Sequence, residues 1–126
     1  MTRTMLAGDT FLVPDLDDHL WAVISDPLLD ESKVVIVCLL SWQEHYDQAC
    51  VLEAGDHPFI KHSTCVNYPG ARIEKNTLLE QLKSAGQLKP KDPLPDALLN
   101  RIREKAEDSD ITSESYDVLR NQGFVG

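Results

Sequence analysis

The chain has no apolar run long enough to cross a bilayer. Its longest, Val34–Leu40, has seven residues, whereas a membrane-spanning helix needs about 20. Residues 1–6 also lack the apolar stretch of a secretory signal peptide. Cysteine is scarce: the three residues are an odd number, and Cys38 and Cys50 lie inside apolar runs. We therefore expect buried, reduced thiols and a cytoplasmic protein without membrane association.

Positive charge is scarce as well. Lys and Arg number 12 against 21 Asp and Glu, so the formal net charge is −9. A protein this acidic repels phosphate groups and is a poor general binder of nucleic acid or anionic membranes. Basic and imidazole side chains cluster between His57 and Lys75, where few acids oppose them. That stretch is where we expect an anion to bind.

Several motifs that define enzyme classes are absent. The sequence has no glycine-rich phosphate loop, no dinucleotide fingerprint, no His-Glu-x-x-His and no Gly-x-Ser-x-Gly. Cys-x-x-Cys is absent too. We therefore expect neither a cofactor nor a resident metal.

Short apolar runs separated by polar turns predict strands in the first part of the chain. The runs lie at 10–13, 19–25, 34–40, 49–52 and 64–68, and Pro69-Gly70 separates the last from a short run at 71–73. The continuous run at 34–40 is typical of a strand covered on both faces. No helical pattern lies between the runs to supply a parallel crossover. The pattern therefore favours a small, strongly bent antiparallel sheet or barrel.

Helical patterns follow after Lys75. A capping box at Thr77–Glu80 predicts one helix, which Gly86 would end. A proline-rich connector at 89–95 leads to a second helix ending near 108, and a third is expected between 112 and 123. The sequence thus predicts one α+β domain over 1–126, with a mainly β body at 1–75 and C-terminal helices at 76–126.

The densest polar cluster is Gly55–Cys65. It contains His57 and His62, and we interpret them as an acid/base pair because imidazole exchanges protons near neutral pH. Lys61, together with Lys75 farther along the chain, is expected to bind an anion.

Two other interpretations of this cluster stay open. His57, His62 and Cys65 are potential metal ligands with Asp56 beside them, although their spacing is not a standard zinc pattern. Alternatively, the segment is a tight loop in which Asp56 and His57 satisfy backbone groups and Phe59 packs into the core.

Candidates also lie outside the cluster. Ser41 ends the third predicted strand, so its hydroxyl is expected at the rim of the sheet, although serine is also common in turns. His19 follows an aspartate-rich turn and is either a charged anion-binding group or a solvated residue. Trp21 and Trp42 are candidates for stacking on a base, and a tryptophan on a strand is otherwise a core residue.

The order of elements resembles the PemK/MazF family of toxin–antitoxin toxins. The resemblance rests on Gly8–Val13 near the start, a second strand ending in Ile24-Ser25, a third ending in Leu40-Ser41, and a late sheet segment followed by helices. Gly8 and Asp9 match the opening turn, and Ser41 matches the Ser/Thr that ends the third strand. The Arg-Pro pair that enters the second strand in that family is not present around His19-Leu20.

The resemblance implies an SH3-like barrel with flanking helices, a homodimer and a cognate antitoxin as partner. It also implies cleavage of single-stranded RNA without metal, with the ribose 2′-hydroxyl as nucleophile. Such a reaction needs a base, an acid and a cation near the phosphate. We expect His57, His62 and Arg72 to supply these three groups beside Ser41.

An acidic interaction module is the competing hypothesis. Small acidic proteins act as inhibitors or immunity proteins by occupying the basic clefts of nucleases. The turns at Asp15–Asp18 and Asp26–Glu31 would then form the working surface, and the histidine loop would be structural. A third hypothesis is a non-catalytic barrel that docks a partner helix through Trp21 or Trp42.

Overall fold

The computed structural model describes residues 5–126, which form seven strands, three helices and two short 3-10 turns. The strands are β1 (Thr10–Leu12), β2 (Leu20–Val23), β3 (Val34–Ser41), β4 (Val51–Leu52), β5 (Thr64–Val66), β6 (Arg72–Glu74) and β7 (Lys89–Lys91). The helices are α1 (Asn76–Ser84), α2 (Asp96–Lys105) and α3 (Ser113–Asn121). No helix among these residues has the length and apolar composition needed to cross a membrane.

The strands form one antiparallel sheet in the order β4-β5-β3-β2-β1-β7. Strand β3 is its centre, because β2 pairs along one edge while β5 and β6 divide the other. Residues 39–41 of β3 pair with β5, and residues 34–36 pair with β6. Two partners on one edge bend the sheet around the middle of β3.

The predicted α+β class with an antiparallel sheet is confirmed, but the predicted barrel is not. Strands β4 and β7 end the sheet at opposite edges and do not pair with each other within residues 5–126. Strand β4 has only two residues, and Pro90 in β7 has no N–H to donate to a further neighbour. The sheet therefore stays open.

Both faces of the sheet are buried, as the continuous apolar run at 34–40 predicted. Alternate residues of a strand point to opposite faces, and six of the eight residues of β3 are buried. One face packs against α2 and α3 through residues that include Val35, Val37, Leu39, Leu98, Leu99, Ile102 and Leu119. The other packs against α1 and the segment after it through Phe11, Trp21, Val23, Ile36, Cys38, Leu79 and Leu88.

The helix ends agree with the sequence better than the helix starts do. Gly86 and Gly123 follow α1 and α3 with φ of 75° and 82°, the left-handed geometry that ends a helix. The predicted capping box of α1 is wrong: Lys75 is the N-cap residue, it makes no side-chain cap, and Thr77 lies within the helix. Glu80 is instead turned inward and buried.

The predicted proline-rich connector contains a strand. Residues 89–91 form β7, whose Lys89, Pro90 and Lys91 pair with the three residues of β1. A proline is accommodated here because β7 is an edge strand, where one donor fewer costs little. The pairing fixes the next residue, Asp92, whose carbonyl accepts a hydrogen bond from Thr10 Oγ1.

Candidate functional site

A cleft of about 230 Å³ opens where β2 begins and β3 ends. Its walls are Asp18, His19, Leu20, Leu39, Ser41, Phe59, Ile60, Lys61, His62 and Thr64. Four of the residues selected from the sequence thus come together here: His19, Ser41, Lys61 and His62. They come from three separate parts of the chain.

Strand pairing brings two of these residues into contact. Ser41, the last residue of β3, pairs with Thr64, the first residue of β5, and His62 precedes Thr64 by two positions. The ladder continues one step further, because the Trp42 N–H donates to the Ser63 carbonyl at 3.0 Å. As a result, Ser41 Oγ lies 3.4 Å from His62 Nε2.

The hydrogen bonds of His62 fix which ring nitrogen is available. Its Nδ1 lies 3.1 Å from the Ser63 carbonyl. A carbonyl oxygen only accepts, so Nδ1 must carry the proton in this bond. Nε2 then presents its lone pair toward the Ser41 hydroxyl and the cleft. This arrangement suits a general base held in one orientation.

His19 supplies a second imidazole to the same cleft. It directly precedes β2, and its backbone N–H donates to Asp17 Oδ1 at 3.1 Å. Its Nδ1 lies 3.8 Å from Asp18 Oδ1, and the Asp18 side chain is 99% exposed. Such an exposed carboxylate is strongly screened by water. The imidazole is therefore held at the cleft by its backbone rather than by that contact.

Two aromatic side chains are exposed at or beside the cleft. Phe59 lines it and is 44% exposed, and Trp42, next to Ser41, is 45% exposed. The expectation that Phe59 packs into the core is wrong, since Ile60 fills that role and is 4% exposed. Trp21, in contrast, is buried, as expected for a tryptophan on a strand.

His57 does not line the cleft. Its side chain is buried, its Nε2 lies 2.5 Å from the Asp92 carbonyl, and its Nδ1 accepts from the Phe59 N–H at 3.0 Å. Both nitrogens are thus engaged by backbone groups, and neither is available to a substrate. The contacts match the alternative interpretation of a loop histidine that satisfies the backbone. Asp56 does the same through the Glu53 N–H at 2.9 Å.

Arg72 and Lys75 lie away from the cleft. Arg72 pairs with Ile36, five positions along β3 from Ser41, and a rise of about 3.3 Å per residue makes this roughly 17 Å. Its guanidinium is 3.3 Å from Glu74. Strands β5 and β6 both run antiparallel to β3, so β6, which comes later in the chain, lies farther from Ser41 than β5 does. Lys75 comes later still, at the start of α1.

The thiols do not supply a nucleophile or a metal site. Cys38, Cys50 and Cys65 are all free and buried, and desolvation by burial raises the pKa of each thiol. A raised pKa keeps the reactive thiolate scarce. Within residues 5–126, no three His, Cys, Asp or Glu side chains are grouped to hold a metal ion. The metal interpretation of His57, His62 and Cys65 therefore gains no support.

Comparisons of the chain with models of protein families, with curated proteins and with solved structures found no match. The cleft is therefore interpreted from its own residues. It combines two imidazoles, an ammonium group, two hydroxyls and one carboxylate, with exposed aromatic rings at or beside it.

Proposed function

We propose that the protein is a metal-independent endoribonuclease acting on single-stranded RNA, of the kind that the PemK/MazF resemblance implied. The observation that carries the proposal is the grouping of His19, Ser41, Lys61 and His62 in one cleft. Compared with the expectation from the sequence, His19 and Lys61 replace His57 and Arg72. A base, an acid and a cation are still present.

The chemistry is an in-line attack by the ribose 2′-oxygen on the adjacent phosphorus. His62 Nε2 accepts the proton of the 2′-hydroxyl as the new P–O bond forms. The P–O bond to the 5′-oxygen breaks, and a protonated His19 donates a proton to that leaving oxygen. The products are a 2′,3′-cyclic phosphate and a 5′-hydroxyl. Proton transfers of this type contribute about 10²–10⁴-fold each.

Lys61 and Ser41 have supporting roles in this proposal. The Lys61 ammonium is exposed at the cleft and stabilises the extra negative charge that develops on the phosphate oxygens. Ser41, at 3.4 Å from His62 Nε2, holds the imidazole until the substrate hydroxyl replaces it. Ser41 is therefore a positioning residue, and His62 is a catalytic one.

The exposed aromatic residues favour a single-stranded substrate. Bases of a single strand are free to stack on aromatic side chains, and each such contact is worth about 1–3 kcal/mol. Phe59 and Trp42 offer two such surfaces beside the proposed catalytic residues. Stacking also compensates for the net charge of −9, which weakens attraction to phosphates.

The remaining expectations from the resemblance belong to the same proposal. We place the enzyme in the cytoplasm, as a homodimer controlled by a cognate antitoxin. Buried free thiols fit a reducing compartment.

Cleavage of a labelled single-stranded RNA by the purified chain, in buffer with EDTA, tests the proposal. His62→Ala is expected to lower kcat/KM by about 100-fold or more. His45→Ala is the matched control, because His45 is an exposed loop histidine outside the cleft. Absence of cleavage by the unmodified chain, or equal activity of His62→Ala and His45→Ala, would contradict it.

The acidic interaction module is the second candidate, favoured by the turn between β1 and β2. Asp15 and Asp18 of this turn are exposed and carry negative charge on the surface. In the turn after β2, by contrast, Asp26 and Asp30 accept hydrogen bonds from Leu28 and Ser32 and so hold the loop. Growth on induction separates the candidates: the ribonuclease arrests its host, whereas the module leaves growth unchanged.

A further inference from the structure

A second concave surface lies on the side of the sheet that α1 covers. This groove of about 240 Å³ is lined by Phe11, Val13, Leu16, Trp21, Ile36, Arg72, Glu74, Leu78, Leu79 and Leu82. Eight of these ten side chains are apolar. Leu16 is 54% exposed and Leu78 is 40% exposed, so the groove presents apolar surface to the solvent.

The groove is a built feature of the fold and does not depend on a loose loop. The turn that carries Leu16 is held by the Val13 carbonyl, which accepts from the Leu16 N–H at 2.8 Å and the Asp17 N–H at 3.1 Å. Asp17 Oδ1 in turn accepts from Trp21 Nε1 at 3.2 Å. On the opposite wall, Leu78 lies in the first turn of α1, next to the buried Leu79.

The size of the groove argues for a side chain as its occupant. Pockets for small-molecule ligands usually measure about 300–1,000 Å³, and this one is smaller. A groove of this kind accommodates one or two large apolar side chains of a partner helix, spaced three or four residues apart. Such anchors carry most of the energy in a protein interface.

The charges around the groove indicate which charge the partner carries. The only cation among the lining residues is Arg72, and its guanidinium is 3.3 Å from Glu74 Oε1. The turn between β1 and β2 adds two carboxylates next to Leu16, those of Asp15 and Asp17. These charges repel RNA, and the same acidic turn on a second copy of the chain would be repelled at this groove. They attract a basic segment.

We propose that this groove docks an amphipathic helical segment of a partner protein, with one or two large apolar anchors flanked by Lys or Arg. Leu16 and Leu78 form the two sides that contact the anchors. The inference does not depend on the proposed ribonuclease activity, because the groove and the cleft share no lining residue.

Two synthetic peptides of about 15 residues test the proposal with the full-length chain. Both form an amphipathic helix with the same leucine face, and one carries lysines and the other glutamates on its polar face. We expect the lysine peptide to bind, and backbone amide shifts in a ¹⁵N-labelled sample to map to the β1–β2 turn and α1. The glutamate peptide is expected not to bind.

A pair of double variants provides the matched control. Leu16→Gln with Leu78→Gln removes two exposed leucines from the groove, and Leu28→Gln with Leu29→Gln removes two from outside it, at 67% and 63% exposure. All four substitutions keep the charge. The first double variant is expected to weaken binding by about tenfold or more, and the second by less than about twofold.

Three results would overturn the proposal: equal binding of both peptides, equal weakening by both double variants, or amide shifts that map elsewhere. Sedimentation velocity tests whether a second copy of the chain occupies the groove. A dimer of the unmodified chain that the Leu16→Gln/Leu78→Gln variant dissociates would assign the groove to a second copy instead.

Discussion

The two sides of the segment from His57 to Cys65 differ in the burial of their side chains and in the hydrogen bonds of their histidine rings. His57, Ile60 and Cys65 point inward and are buried, whereas Phe59, Lys61 and His62 point outward and are exposed. Both sides hold an imidazole. Backbone groups engage both ring nitrogens of His57, whereas only Nδ1 of His62 contacts the backbone and its Nε2 faces the cleft. Residue type and sequence proximity therefore do not show which histidine has a ring nitrogen available to a ligand; the partners of the ring nitrogens do.

The largest effect on stability is expected at the apolar pair of this segment. Ile60→Ala removes a side chain that is 4% exposed, and such truncations cost about 2–5 kcal/mol because they leave a cavity. Phe59→Ala removes a larger side chain that is 44% exposed, and it is expected to lower the free energy of unfolding by only about 1–1.5 kcal/mol, because roughly half of its surface is already in contact with water. Urea unfolding of both variants measures the difference. A larger loss for Phe59→Ala would reverse the assignment of the two sides.

The histidine pair is expected to show a smaller difference in stability. His57→Ala leaves the Phe59 N–H without its acceptor and the Asp92 carbonyl with Thr10 Oγ1 as its remaining partner, at a cost of about 1–3 kcal/mol. His62→Ala affects an exposed side chain and should stay within about 0.5 kcal/mol. Thermal unfolding at one pH compares them. If His62→Ala were the more destabilised variant, His62 would be a structural residue and the cleft would lose its proposed base.

Local sequence patterns predicted most of this fold. The β-branched run at 34–40 gave the central strand because such a run must be covered on both faces, and the glycines after α1 and α3 marked helix ends because they alone adopt positive φ at low cost. Strand β7 was missed, since Pro90 argues against a strand unless the position is known to be an edge. Edge positions depend on tertiary pairing, which local patterns do not contain.

The candidate site was predicted only in part for the same reason. The cleft is lined by four residues that were selected from the sequence, His19, Ser41, Lys61 and His62, because strand ends and the loops beside them meet at the rim of the sheet. Arg72 was placed wrongly, since its distance from Ser41 depends on β6 continuing along β3 after the turn at Tyr68–Gly70. His57 was misjudged because its partner, Asp92, lies 35 positions away in the chain.

Alkaline pH is expected to lower the free energy of unfolding through Cys65, which is on the inward side of the segment. Burial raises the pKa of this thiol, whereas a thiol in an unfolded chain ionises near about 8.5. Below that pH both states keep the proton, and the full stability is present. Above it the unfolded state loses its proton first, so the free energy of unfolding falls as the pH rises.

Urea unfolding at pH 7 and pH 10 measures this fall, and Cys65→Ala removes the contribution of the thiol. The drop between the two pH values is expected to be smaller in Cys65→Ala by up to about 2 kcal/mol, because pH 10 lies about 1.5 units above the pKa of the unfolded thiol and each unit is worth about 1.4 kcal/mol. Effects of other titrating groups cancel in the comparison. An equal drop in both proteins would show that Cys65 does not ionise on unfolding in this range.

The smallest effect is expected on RNA affinity, at Lys61, the one lysine on the outward side of the segment. Lys61 lies at the cleft, whereas Lys75 lies at the start of α1 and outside it. Each phosphate contact on a single strand contributes about 0.7 to the slope of log affinity against log salt concentration. Lys61→Gln should therefore reduce that slope by about 0.7 for a single-stranded RNA and weaken binding a few-fold.

Lys75→Gln removes the same charge without changing the cleft, and it is expected to leave the slope unchanged. Fluorescence anisotropy at several salt concentrations, with the RNA made uncleavable by 2′-deoxy substitution, gives both slopes. Equal slopes of log affinity against log salt concentration for the two variants would mean that RNA binding depends on the overall charge of the protein and not on a contact at Lys61. A difference confined to Lys61→Gln would place the RNA backbone at the same cleft that holds His62, even though the molecule as a whole repels it.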